Sequence, residues 1–215
     1  MAVTLPNGSL IHIGSAYGSS LTVSAITNAN PAVATSTAHG LSNGDYVVFS
    51  SGWSRLNNRT FRVAAVTANT FELEGIDTTS VTTYPSGSGI GSVRKVTTWT
   101  QIQQVLSSTT SGGEQQFTNY SFLEQNFETQ VPTYFSAQSM TIDIADDPSL
   151  AGYIALKAAA EARASRALKI AMADGSVIYY YGYVSFNETP SVQKGAIMQV
   201  RATFSLQGRP VRYAS

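Results

Sequence analysis

The run Val177-Ile178-Tyr179-Tyr180-Tyr181-Gly182-Tyr183-Val184-Ser185-Phe186 is apolar or aromatic on both of its strand faces. An extended chain sends successive side chains to opposite sides of a sheet, so neither side of this run is suited to water. A fold that contains it must supply a cover for each face. The flanking sequence tightens the constraint. Leu168, Ile170 and Met172 alternate with Lys169, Ala171 and Ala173, and Asp174-Gly175 reads as a two-residue hairpin turn into the aromatic run. Further on, Ala196, Met198, Val200, Ala202, Phe204 and Leu206 face inward, while Gln199, Arg201, Thr203, Ser205 and Gln207 face solvent, a lumen or a neighbour.

One cover is visible upstream. Asp147 is placed to cap a helix and Pro148 suits a first helical position, which predicts a helix over about 147–164. Its body is rich in alanine, with Leu150, Tyr153, Ile154 and Ala158 at helical spacing, a narrow face that lets a helix lie close on a sheet. Before it, Met140, Ile142 and Ile144 alternate with Ser139, Thr141 and Asp143 in a strand pattern. Short strands are also predicted over 9–14 and 96–102. Residues 107–116, Ser/Thr/Gly/Gln-rich, are expected to form a long exposed loop. Between about 22 and 96 the texture is of short β runs separated by turns such as Asn43-Gly44 and Asn57-Asn58, ending in the glycine- and serine-rich piece 86–91, which reads as a flexible linker. The expected division is a main β domain from 1–22 and 95–215, with a small β domain of residues 23–94 inserted in it.

Composition removes most chemistry. There is no cysteine, so disulfides, thiolate metal sites and a cysteine nucleophile are excluded, and the two histidines, His12 and His39, are far apart in sequence. His39 beside Gly40 reads as a turn residue with a structural hydrogen bond, and His12 as a residue on one face of a strand. Asp143, Asp146 and Asp147 lack the spaced oxygens and central glycine of a calcium loop, and Gly87, Gly89 and Gly91 lack phosphate-loop spacing. No metal, cofactor or catalytic residue is expected. No apolar run reaches the ~20 residues of a membrane span, and the start of the chain lacks a basic, apolar leader, so a cytoplasmic origin without membrane contact is expected.

Charge is sparse: charged residues make up 12% of the chain and the formal net charge is zero. So little repulsion protects a monomer poorly against self-association. Residues 97–156 hold six acids and no base, whereas residues 157–215 hold eight bases and three acids. Either the two segments neutralise each other within one sheet, or they form opposed faces that meet between subunits.

The order of elements resembles the major tail tube proteins of long-tailed, non-contractile-tailed bacteriophages. The resemblance is carried by the Gly112-Gly113 loop, Leu123-Glu124-Gln125-Asn126-Phe127-Glu128, the strand ending in Asp146-Asp147-Pro148, the alanine-rich helix, the Ala173-Asp174-Gly175 hairpin, the tyrosine strand and a last strand ending in Gly208-Arg209-Pro210. Residues 23–94 are similar to a small β-barrel module that recurs in phage tail proteins and in ubiquitin-activating enzymes. The resemblance implies a mainly β, sandwich- or barrel-like subunit with one flanking helix. Six copies would form a ring, and rings would stack into a tube around a tape-measure protein, meet tail-end proteins and later conduct double-stranded DNA without binding it specifically. The protein would reside in the virion tail after assembly in the bacterial cytoplasm. In that setting Glu124 and Glu128 are the expected lumen-lining residues, and Phe117, Tyr120, Phe122, Arg163, Arg166, Arg209 and Arg212 the expected contacts between subunits. A receptor- or glycan-binding tail module, and a neck or tail-end protein that closes a single ring, are the other readings this sequence leaves open.

Overall fold

A computed structural model describes residues 7–214; residues 1–6, read above for the absence of a leader, and Ser215 lie outside them. The chain is mainly β. In order, the strands are β1 (Leu10–Val23), β2 (Ala25–Ile26), β3 (Ala32–Thr35), β4 (Tyr46–Ser51), β5 (Arg59–Ala64), β6 (Thr70–Leu73), β7 (Gly91–Ile102), β8 (Val105–Ser111), β9 (Gln115–Tyr120), β10 (Thr129–Phe135) and β11 (Gln138–Ala145). Helix α1 (Ala151–Glu161) follows, then β12 (Ser165–Ala171), β13 (Val177–Ser191), β14 (Gln199–Leu206) and β15 (Val211–Tyr213). All but β9 and β10 join one curled antiparallel sheet ordered β2-β3-β6-β5-β4-β7-β1-β12-β13-β14-β11-β8, with β15 beside β13.

The doubly apolar strand receives its two covers. Tyr180, Val184 and the partly buried Ile178 and Phe186 point into a core built from α1 and strands β1, β11, β12 and β14, including Tyr153, Leu156, Leu168, Ile142 and Phe204. Tyr179 and Val177 point the other way, into a second core with Phe49, Phe61, Trp53, Leu73, Val211 and Tyr213. Tyr179 stacks on Tyr46 with ring centroids 4.6 Å apart, and Trp99 and Tyr213 close around it at 5.9 Å each. The cover on that face therefore comes from residues 23–94 and the C-terminal strand of the same chain.

Two long strands tie the halves together. β1 pairs with β7 from Ile11↔Ile102 to Val23↔Gly91, with irregular register between Gly14 and Ser20, and β4 adds to β7 through Val47↔Lys95 and Phe49↔Val93. Residues 86–91, read as a flexible linker, are held in place. Trp53 Nε1 donates to the Pro85 carbonyl at 2.8 Å, Ser51 Oγ donates to the Gly89 carbonyl at 2.9 Å, and Gly89 lies flat on the Trp53 ring, where a Cβ would sit 2.9 Å from it.

Several local expectations are corrected. The helix begins four residues later than expected: Asp147 accepts hydrogen bonds from the Ser149 amide (3.0 Å) and hydroxyl (2.6 Å), closing an Asx turn upstream, while Leu150 is the N-cap and makes no side-chain cap. The buried stripe is Gly152, Tyr153, Leu156 and Ala159; Ile154 is exposed. The helix ends at Glu161, with Ala162 as its C-cap and Arg163 at φ 48°. The hairpin turn has three residues, not two: the Met172 amide donates to the Ser176 carbonyl, and Gly175 takes the positive φ of 83° that a three-residue loop with a bulge requires. The last strand starts at Gln199, leaving Met198 exposed. The expected loop over 107–116 is largely strand, split between β8, which pairs with β11, and β9, with the turn at Gly112-Gly113.

Close approach of α1 to the sheet generates a first prediction. A Cβ on Gly152 would meet the Gln101 carbonyl oxygen at 2.6 Å and Ile102 Cα at 2.7 Å, both backbone. Gly152→Ala gains about 1 kcal/mol of helix propensity, but the helix has to lift, at about 1–3 kcal/mol of lost packing. Urea unfolding is expected to show net destabilisation for Gly152→Ala and a change within about 0.5 kcal/mol for Ile154→Ala, on the exposed face. A second prediction follows from Tyr179: replacing residues 25–92 with a short linker uncovers this ring and Tyr213. The shortened chain is expected to lose its cooperative thermal transition.

Candidate assembly interface

The two histidines occupy separate settings in the fold. His39 is buried in the 38–41 turn, accepts the Leu41 amide on Nδ1 at 3.0 Å and meets Phe71 edge-on at 5.2 Å, the structural role its sequence context indicated. His12 lies on β1 opposite Lys169 of β12. Burial first, and then the Lys169 charge, push its pKa below the ordinary imidazole value. Lys169 in turn sits over Trp99, 5.2 Å from the ring, with its pKa pulled down by burial. Among the described residues no cluster of histidines and carboxylates could hold a metal ion.

What the molecule does present is unfinished β surface. β8 (Val105-Leu106-Ser107-Ser108-Thr109-Thr110-Ser111) is the end strand of the large sheet, paired only with β11, and it carries no charge and no proline. An open edge of this kind offers free backbone donors and acceptors to another chain. Beyond it, β9 and β10 form a separate two-stranded ribbon in register Thr129↔Tyr120 and Phe117↔Pro132. Phe117, Tyr120 and Phe122 stand on or beside it, 55%, 41% and 58% exposed, and Tyr120 meets Phe122 edge-on at 5.6 Å. A lone ribbon is marginal in water, and this one shows aromatic groups on exposed positions along its whole length.

Leu123, Phe127, Tyr134 and Phe135, not among the expected contacts between subunits, are also exposed on or at the ends of the ribbon. Their signal was present in residues 117–135, where aromatics keep recurring without a packing period and Pro132 marks a strand that lies off the sheet interior. Glu124 and Glu128 sit in the ribbon's 121–128 tip, with Glu128 accepting from Asn119 Nδ2 at 2.8 Å.

The basic candidates separate by surroundings. Arg212 donates to Ser176 Oγ at 3.0 Å and lies 3.8 Å from Asp174, so it fastens the 173–175 turn within its own chain. Arg166 and Arg94 flank the Tyr17 ring at 5.6 and 5.3 Å, and burial raises the Tyr17 hydroxyl to about 12. Arg209 lies 3.6 Å over the Phe135 ring at the ribbon's foot. Arg163 is exposed at the end of α1.

Acid and base meet within the sheet at one expected place. Asp143 of β11 and Arg201 of β14 are register partners, and the guanidinium donates to both carboxylate oxygens, at 2.7 and 3.3 Å. Arg201, which the sequence left on a polar face, is thus neutralised. The Arg201 hydrogen bond is the main reason the Asp143 pKa is lowered, and Ser107 Oγ adds a further bond at 3.0 Å. Because the folded-state pKa lies below the unfolded value, this stabilisation is present above the unfolded pKa of ~4 and fades as pH falls through the folded value. Asp143→Asn is expected to lower the urea midpoint at pH 7, and the gap to wild type is expected to close on acidification below about pH 4.

No curated relative matches the chain. A family comparison, however, matches residues 51–215, more than three quarters of the sequence, to the phage tail tube protein (TTP) family. The match runs from the last residue of β4 through the ribbon, α1 and the two-faced strand β13 to the C-terminus. Among the described residues no helix is long and apolar enough to cross a membrane. The chain belongs to the phage tail tube protein family, a structural component of the virion tail rather than an enzyme.

Proposed function

We propose that this subunit forms hexameric rings that stack into the tail tube, around a lumen held first by the tape-measure protein and later by double-stranded DNA during ejection, with tail-end proteins closing the stack. The observation that carries this reading is the uncharged open edge of β8. A soluble protein that stayed monomeric would guard such an edge with lysine, proline or a covering loop. Here its neighbour is the corresponding sheet of the next copy. A directional contact of this kind is heterologous and closes into a ring when its rotation divides the circle.

The ribbon supplies the second contact, with Phe117, Tyr120 and Phe122 docking on an adjacent copy and the exposed Arg163 and half-buried Arg166 available at the subunit margin. Residues 23–94 act as an inserted β domain on the outer side of the tube. Assembly takes place in the host cytoplasm, from subunits that stay apart until concentration or an initiating tail-end complex favours the polymer. Lumenal walls that carry few unpaired cations let DNA pass without phosphate contacts that would retard it; the Asp143–Arg201 pair is one way this sheet keeps a cation occupied.

Negative-stain microscopy of concentrated protein tests the reading. Wild-type protein is expected to form extended tubes of stacked rings. Leu106→Lys combined with Thr109→Lys, which places two charges on the open edge, is expected to give folded monomers. Single closed rings from the wild type would identify a neck or tail-end role, and persistent monomers would remove the tube reading.

A further inference from the structure

We propose that the cleft between residues 54–59 and the turn at 207–210 receives the acidic ribbon tip, residues 121–128, of a second copy of this chain. This rests on the tube-subunit reading and specifies which two surfaces meet. The cleft has a volume of about 940 Å³, and Arg55, Arg59 and Arg209 line it together with Tyr84, Phe135 and Pro210. Among the described residues, no carboxylate forms an ion pair with any of these three arginines.

Arg59 is fixed by backbone acceptors: its Nε donates to the Arg209 carbonyl at 3.0 Å and one terminal nitrogen donates to the Arg55 carbonyl at 2.8 Å. Arg209 is held over the Phe135 ring. Two placed guanidinium groups and a third, exposed one thus share a cavity with aromatic walls and no counter-charge. Guanidinium groups recognise carboxylates through charge-assisted, often bidentate bonds.

The ribbon tip presents the matching chemistry on exposed side chains. In the segment Phe122-Leu123-Glu124-Gln125-Asn126-Phe127-Glu128, two carboxylates alternate with three large apolar side chains that are 58%, 107% and 70% exposed for Phe122, Leu123 and Phe127. Phosphate on a nucleic acid would satisfy the arginines, but it would leave these apolar groups and the aromatic walls of the cleft without partners. The tip satisfies both. It cannot enter the cleft of its own molecule readily, because Gly113 and Phe135 at the ribbon's foot form part of the cleft wall. From there the six residues of β9 carry the tip about 20 Å away. The contact is therefore between copies and head-to-tail, the kind that propagates instead of closing a symmetric pair. Glu124 and Glu128 are then contact residues and not lumenal ones.

Because the chain contains no cysteine, Asn126→Cys combined with Gln207→Cys provides a single defined cross-link. Oxidation of assembled tubes is expected to yield a ladder of covalent multimers that dilute monomer does not give. Tubes without a ladder would overturn the docking while leaving the tube reading intact, and wild-type protein that never forms tubes would overturn both. Charge reversal is the second arm. Arg55→Glu with Arg209→Glu in one protein, and Glu124→Arg with Glu128→Arg in another, are each expected to reduce tube yield by about tenfold or more. Mixing the two proteins is expected to restore it, because every tip then faces a cleft of opposite charge. If the glutamate reversals leave tube yield normal and slow only DNA delivery, the two acids line the lumen and the proposal fails. If the arginine reversals abolish only DNA binding, the cleft is a nucleic-acid site and the proposal fails as well.

Discussion

The burial of both faces of β13 is the constraint from which the rest of the architecture follows. Tyr180 and Val184 commit one side to helix α1, and Tyr179 commits the other to residues 23–94 and β15. An antiparallel sheet with one wet face would have needed only one of these covers. The long strands β1 and β7 are the mechanical consequence: they stay paired, through the irregular stretch between Gly14 and Ser20, from the helix-covered core to the second one, so the two cores share a sheet. The tight seat of Gly152 on the Gln101 carbonyl follows from the same demand, since only a helix pressed close to the sheet seals the Tyr180 side.

Electrostatics plays a supporting part in this fold. The acid-rich middle and base-rich end of the sequence do meet across the sheet, as Asp143 with Arg201, while Lys157 pairs with Glu188 at 2.7 Å and Arg62 with Glu74 within their own regions. These pairs sit near the surface, where each contributes little to stability. Their larger effect is on what remains. Once they form, most arginines left outside ion pairs among the described residues gather at the cleft of residues 54–59 and 207–210 and around Tyr17, while two of the acids left over, Glu124 and Glu128, share the ribbon tip. A chain of zero net charge becomes locally polar between two distant patches.

The parts of this fold legible in the sequence were those whose pattern is set by strong burial. The β12–β13 hairpin, the alternation of β11 and of β14 from Val200, and the mainly β class all follow from side chains that must alternate inward. The misreadings fell where burial is weak or the local chemistry has two solutions. Asp147-Pro148 suits a helix start and an Asx turn equally well, and only packing of Gly152 against β7 decides between them. Ala173-Asp174-Gly175 permits a two- or a three-residue loop, which the register Ala171↔Val177 settles. Ser107 to Gln116 carries no period because β8 has one neighbour and β9 stands apart, so no core imposes alternation on either. The ribbon's exposed aromatics were only partly recognised for the same reason: residues that pack against no core of their own chain leave no intramolecular pattern to read.

Charge at 12% is costly for a free surface, since it leaves Ser, Thr, Asn and Gln to keep the protein dispersed. It is well matched to a surface that will be buried by copies of itself, because every charge placed there would have to be paired or desolvated on assembly. An uncharged edge at β8 and an aromatic ribbon are both weak in the isolated subunit, and in the proposed tube both are satisfied by a neighbour. Using two such contacts in place of one large apolar patch lets the subunit remain separate at low concentration, because either contact alone orders little surface. Once a ring or growing end offers both together, the second forms at the high effective concentration created by the first. Growth is then favoured at an existing tube end over spontaneous clustering in solution.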